Sequence, residues 1–220
     1  MSNLSDAEFE ALLADVSRRP QQRGNLIFAL DATASRERTW DTAAKLQAQM
    51  FAEVAVIGSL DVQLIYFRGV DECKASTWVS DPMALAKLMV KIRCEAGETQ
   101  IERVLARASR ETAQRKINAV VYVGDCCEES RDQLVPAARK LGDLGVPVFM
   151  FQEGPDQIAE SRFKEIAELT HGAYYRFDRG SARQLAELLK AVAMFAVGGV
   201  MALERQGSEA SKYLLGQIKS

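Results

Sequence analysis

Histidine is nearly absent from this chain of 220 residues, His171 being its single copy, and the four cysteines contain no Cys-x-x-Cys pair. That spacing excludes the common zinc-finger and thioredoxin-type readings. A Gly-x-Gly-x-x-Gly turn and a glycine-rich phosphate loop are both missing, which counts against nucleotide chemistry. Neither sign of charge is in excess, with 28 Lys and Arg against 30 Asp and Glu. A formal net charge of −2 offers no field for nucleic acid or a membrane surface. The longest apolar run, Ala191 to Leu203, is short of the roughly 20 residues that cross a bilayer. The opening residues are polar and acidic, unlike a secretory leader. Taken together, these absences predict a cytoplasmic protein with neither a membrane nor a nucleic-acid partner. Cys73 and Cys94 stand singly and Cys126-Cys127 are adjacent, which fits free thiols in a reducing compartment.

What is present is an ordinary globular composition, 48% apolar and 26% charged, in a length suited to one domain. Ser5-Asp6-Ala7-Glu8 is a capping box before Phe9, Leu12, Leu13 and Val16, and predicts an N-terminal helix. Strand one runs from Asn25 to Asp31, and a helix follows over about 38–56. Asp61–Phe67 and Ala75–Val79 flank so short a turn that they must pair antiparallel. Asp81-Pro82 starts a helix to about Arg93, and Thr99…Glu102 forms a second capping box before a helix ending near Lys116. Asn118–Asp125 is the most apolar strand, as a central parallel strand should be. A helix with Glu128 and Glu129 in its first turn, strand 146–151, helix 157–170, strand 172–177 and a final helix capped by Ser181 complete the order. This alternation predicts a doubly wound α/β fold. Its six-stranded sheet is mostly parallel with one antiparallel edge strand, and helices cover both faces. The chain divides into an N-terminal helix and linker (1–24), the α/β domain (25–190) and an apolar helical extension with a tail (191–220).

Two strands stop on an aspartate, Leu26-Ile27-Phe28-Ala29-Leu30-Asp31 and Val120-Val121-Tyr122-Val123-Gly124-Asp125. Asp31 is followed by hydroxyls at Thr33 and Ser35, and Thr99 adds a third at a loop-to-helix boundary. Two carboxylates and three hydroxyls are hard oxygen donors, suited to magnesium, manganese or calcium. In doubly wound sheets, ligands sit at the carboxyl ends of the strands where the topology reverses. Each residue also has a plainer use. Asp31 and Asp125 could cap the helices that follow, Thr33 and Ser35 could shape a turn, and Thr99 could serve its capping box. His171 reads as a structural histidine.

The residues Asp31-Ala32-Thr33-Ala34-Ser35, Gly97-Glu98-Thr99 and Gly124-Asp125 resemble the von Willebrand factor type A (vWA) family over about 25–189. They match its metal-ion-dependent adhesion site, with threonine for the first serine and Cys126 where the family often has glycine. A glycine there would matter if the position needs a positive φ. The resemblance implies a bound Mg2+, Mn2+ or Ca2+ held by Asp31, Thr33, Ser35, Thr99 and Asp125. A partner protein's Asp or Glu would complete its coordination, the partner belonging to an assembly such as one with an AAA+ ATPase or chaperone. It also implies a binding module and not an enzyme. The rivals are a phosphatase-like enzyme using Asp31, and a scaffold whose structural ion is sealed by Glu98 or Glu128. Cys126 and Cys127, beside Asp125, would make the site sensitive to oxidation. The all-round apolar stretch from Ala191 must be covered on two sides, by the N-terminal helix or by a second copy in a homodimer.

Overall fold

The computed structural model describes residues 23–36, 60–178 and 181–218. The helices expected over 5–16 and 38–56 lie outside the described residues. Strands β1 (Gly24–Asp31), β2 (Leu60–Arg68) and β3 (Glu72–Val79) are followed by helices α1 (Pro82–Lys91) and α2 (Ile101–Thr112). Next come β4 (Ala119–Gly124), α3 (Arg131–Asp143), β5 (Val148–Glu153), α4 (Gln157–Leu169) and β6 (Ala173–Phe177). Helices α5 (Ala182–Gln206) and α6 (Glu209–Ile218) end the order.

The strands form one sheet in the order β3-β2-β1-β4-β5-β6. Every neighbouring pair is parallel except β2 with β3, the hairpin that forms the antiparallel edge. From β1 the chain builds outward to β3 and then returns to place β4 on the other side of β1. The reversal therefore lies between β1 and β4, where Leu30 pairs with Val123. All six residues of β4 are buried, because helices cover both faces of the sheet and no face needs to be polar.

Alternation along the strands sorts the core into two layers. Leu26, Phe28, Leu30, Val121, Val123, Phe149 and Phe151 face Leu85 and Met89 of α1 and Leu185, Leu188, Val192 and Ala196 of α5. Ile27, Ala29, Ile65, Val120, Tyr122 and Met150 face Val104 and Leu105 of α2, Leu134 of α3 and Phe163 of α4. Helix α5 crosses the start of β1 so closely that a Cβ on Gly24 would lie 2.8 Å from the Ala196 carbonyl. Only glycine permits that approach.

Three local expectations need correction. Glu128 and Glu129 precede α3, which is capped by Ser130 in a capping box with Gln133. The Thr99…Glu102 box does not form; α2 starts from Gln100 without a side-chain cap bond of its own. Ser181 likewise makes no side-chain cap bond. Helix α5 has 25 residues, long and apolar enough by length and composition to cross a membrane, although 39% of its most apolar window is buried on this domain. The short-run argument against a membrane therefore does not carry over to the helix. Its backbone breaks at Gly199 (φ 64°, ψ −157°). Beyond the break, α6 folds back on it, and Leu203 and Leu214 are both fully buried. The chain's own tail thus covers part of the apolar extension.

Candidate metal site

Asp31 ends β1 with no exposed surface, where β1 is paired with β2 through Asp31 itself and with β4 through Leu30. Its Oδ1 accepts the Thr33 backbone N–H at 2.8 Å. Its Oδ2 is buried with no hydrogen-bond partner among the described residues. Burial pushes the Asp31 carboxyl up to about 6, opposed by the nearby Arg36 charge and the bonds to Thr33.

The turn Ala34–Arg36 carries the hydroxyls round towards β4. Thr33 Oγ1 lies 3.0 Å from Ser35 Oγ, and Ser35 Oγ donates to Asp125 Oδ1 at 3.0 Å. Four of the five expected residues (Asp31, Thr33, Ser35 and Asp125) therefore form one hydrogen-bonded chain across the switch point. Ser35 is exposed and Thr33 is buried, so the chain runs from the interior to the surface.

Thr99 joins through the loop that follows Asp125. The Glu128 backbone N–H donates to Thr99 Oγ1 at 3.1 Å, and the Thr99 N–H donates to Glu128 Oε2 at 3.0 Å. Glu129 reaches the same junction, accepting the N–H groups of Ile101 at 2.5 Å and Glu102 at 2.8 Å. It caps α2 from a distant loop, so Thr99 is not needed as the cap. Gly97 lets this segment lie against the β2–β3 turn, where a Cβ would meet the Gly69 carbonyl oxygen at 2.0 Å. The Glu128 carboxylate accepts the Thr99 N–H, and Glu98 is exposed.

Reading the sequence missed the group that fixes the two strand ends. Arg36 is 1% exposed, and its Nη1 donates to the carbonyls of Asp31 (3.0 Å) and Val123 (3.3 Å). Its Nε and Nη2 donate to Glu153 Oε2 at 3.3 and 3.2 Å. One buried guanidinium thus ties together the carboxyl ends of β1, β4 and β5. The signal becomes legible once the strand order is known: β5 is a third apolar strand ending on a carboxylate, and an arginine directly follows the Thr33/Ser35 motif.

Ligand atoms of Asp31, Asp125 and Cys126 all lie within 4.8 Å of one another. Cys126 is half-buried, and its Sγ donates to Asp125 Oδ1 at 3.6 Å. Burial, then the Asp125 charge, pushes its thiol far above the usual range. Among the described residues, only His171 is a non-glycine with positive φ. Cysteine at 126 therefore imposes no backbone strain. The donor set fits a divalent cation, because a fully buried carboxylate oxygen without a proton donor is costly unless a charge approaches it.

No protein-family model matches the sequence, and no curated protein matches it significantly. Solved structures do. An aerotolerance-related membrane protein from Bacteroides fragilis superposes with TM-score 0.58 at 20% identity, over 74% of this chain and 96% of that one. A von Willebrand factor type A protein from Catenulispora acidiphila gives 0.62 at 17% identity, over 79% of this chain and 43% of that one. The SpRpn10 VWA domain gives 0.59 at 10% identity, over 71% and 89%. The chain has a vWA-type α/β fold.

Proposed function

We propose that this protein is a divalent-cation-dependent protein-interaction module. Asp31, Thr33, Ser35, Thr99 and Asp125 would hold the ion, and an Asp or Glu carboxylate from a partner would complete its coordination. The observation that carries this reading is the buried Asp31 Oδ2, which lacks a partner among the described residues and belongs to a cluster with Asp125. The expected ions are Mg2+, Mn2+ or Ca2+, which take several oxygen donors and keep exchangeable waters. Bound at the mouth marked by exposed Ser35, such an ion would supply an electrophilic point for an incoming carboxylate. The chain's own residues do the rest. Arg36 fixes the strand ends, and the Thr99–Glu128 pair fixes the loop.

A cytoplasmic location and a partner within an AAA+ ATPase or chaperone assembly belong to the same proposal, as does a homodimer through the C-terminal helix. The membrane side of that question rests on α5, whose apolar length is shared between core and surface. The phosphatase-like alternative is less well supported. Thr33 stands where a second acid would be needed, and the cation beside Asp31 is Arg36, which already holds Glu153 and two carbonyls.

Isothermal titration with each cation tests the site, using wild type, Asp31→Asn and Ser35→Ala. Binding by wild type that is lost in Asp31→Asn supports the reading, and equal affinity in both sinks it. For the partner, a protein retained by wild-type bait must be released by chelator and missed by Ser35→Ala bait.

A further inference from the structure

Within that proposed site, we infer that Cys126 is a ligand, so the site takes a thiophilic divalent ion such as zinc in preference to magnesium. The inference rests on the module reading for the presence of a site, and on the geometry of this chain for the sulfur. Asp31, Asp125 and Cys126 offer two oxygens and one sulfur within 4.8 Å of one another. Zinc bonds run to about 2.3 Å for sulfur and about 2.0–2.2 Å for carboxylate oxygen, so the ligands of a tetrahedral ion sit about 3.3–3.7 Å apart. The Cys126 Sγ–Asp125 Oδ1 separation of 3.6 Å already matches, and bringing Asp31 in needs a side-chain movement of up to about an ångström. Asp31 Oδ2 is the second, independent pointer: it is fully buried and without a partner among the described residues.

The surroundings of the sulfur favour this use. Cys126 Sγ donates to Asp125 Oδ1, and Glu128 contributes a further carboxylate beside it. When a divalent ion binds, the S–H proton leaves to solvent as the S–metal bond forms. Thr33 and Ser35 would then hold the carboxylates, and Thr99 the loop, through their hydrogen bonds and not as ligands. Asp31, Asp125 and Cys126 would fill three positions of a tetrahedral zinc and leave one open. That position is where a partner's carboxylate would bind. Thiolate ligation selects strongly against magnesium and calcium, which prefer oxygen alone.

Cobalt(II) titration of the metal-free full-length chain tests this directly. Wild type should develop an intense near-ultraviolet sulfur-to-cobalt charge-transfer band and the visible bands of a four-coordinate ion. Stoichiometric Zn2+ should bleach both, and a large excess of Mg2+ should not. Cys126→Ser should lose the charge-transfer band and weaken zinc binding by more than roughly tenfold, the floor set by losing even an outer partner. Cys94→Ser and Cys127→Ser should keep the band, and melting curves of each variant in chelator show that the fold is retained. Cobalt bound without the band, or unchanged zinc affinity in Cys126→Ser, would overturn the sulfur ligand. Magnesium binding that still depends on Asp31 in that case leaves the module reading standing. Failure of wild type to bind any ion overturns both.

Discussion

Replacing Asp31 with Asn should make the metal-free protein more stable at neutral pH while removing its response to metal. The side chain has no exposed surface, and burial raises its carboxyl from 3.8 to about 6. Between those two values the native state holds a proton that the unfolded state has released. Stability rises with pH only where the unfolded state binds more protons, so here it falls as pH climbs from about 4 to 6. Above that window the loss is complete, and at about 1.4 kcal/mol per pKa step it amounts to about 3 kcal/mol. The amide keeps the acceptor for the Thr33 N–H and is neutral throughout. Asp31→Asn should therefore gain up to about 3 kcal/mol at pH 7.5, or about 6–12 °C in Tm for a domain of this size. Saturating metal should bring wild type back, by about 2.7 kcal/mol at a hundred times Kd, and leave the variant unmoved. Differential scanning calorimetry in chelator from pH 4 to 8, repeated with metal at pH 7.5, reads both effects. If the variant is no more stable than wild type in chelator at pH 7.5, the buried ionised carboxylate is not the strained element.

Arg36→Met should lower stability by about 3–5 kcal/mol, since it removes the cation from the nearly fully buried Glu153, and Arg36→Met with Glu153→Leu should recover much of the loss in chemical denaturation. Glu129→Ala removes two acceptors from the first turn of α2 and should cost about 1–2 kcal/mol, with faster hydrogen exchange at Ile101 and Glu102. Truncation after Gly207 removes Gln217, whose amide pairs with both the N–H (2.8 Å) and the C=O (2.9 Å) of Tyr174 on the sheet edge. An opened β6 edge should self-associate and lower Tm, so a monomer of unchanged Tm by analytical ultracentrifugation and calorimetry would show that α6 has no protective role.

The parts of the fold legible in the sequence were those encoded by neighbouring residues. The hairpin between β2 and β3 followed from a turn too short for a crossover. The apolar run of β4 followed from a strand covered on both faces, and the mostly parallel sheet from alternating elements. The C-terminal tail was legible only as an apolar cluster. That Leu214 packs beside Leu203, and that Gln217 substitutes for a seventh strand at Tyr174, depends on a fold-back through Gly199 and Gly207 that no periodicity announces.

The site divides in the same way, and the division has a physical cause. The ligand types sit in short motifs, because a strand end and its turn can bring Asp31, Thr33 and Ser35 together within five residues. What holds them at one place is non-local. Arg36 meets Glu153 across 117 residues of sequence, and Thr99 meets Glu128 across 29. A sequence signal for such a pair would be two ordinary charged or polar residues far apart, indistinguishable from surface residues until the sheet order is known. With the order β1-β4-β5 in hand, the inference becomes available. Three adjacent parallel strands with Asp31, Asp125 and Glu153 at their carboxyl ends place three carboxylates on one edge, and an arginine in the turn after the first of them is, among the described residues, placed to hold the strand ends together. The capping box at Thr99…Glu102 misled for the complementary reason: a local partner was present, but the carboxylate of Glu129 already satisfied the helix start. Thr99 Oγ1 is thereby left to bind the loop that carries Asp125, and a hydroxyl with two lone pairs can do that and still face an ion.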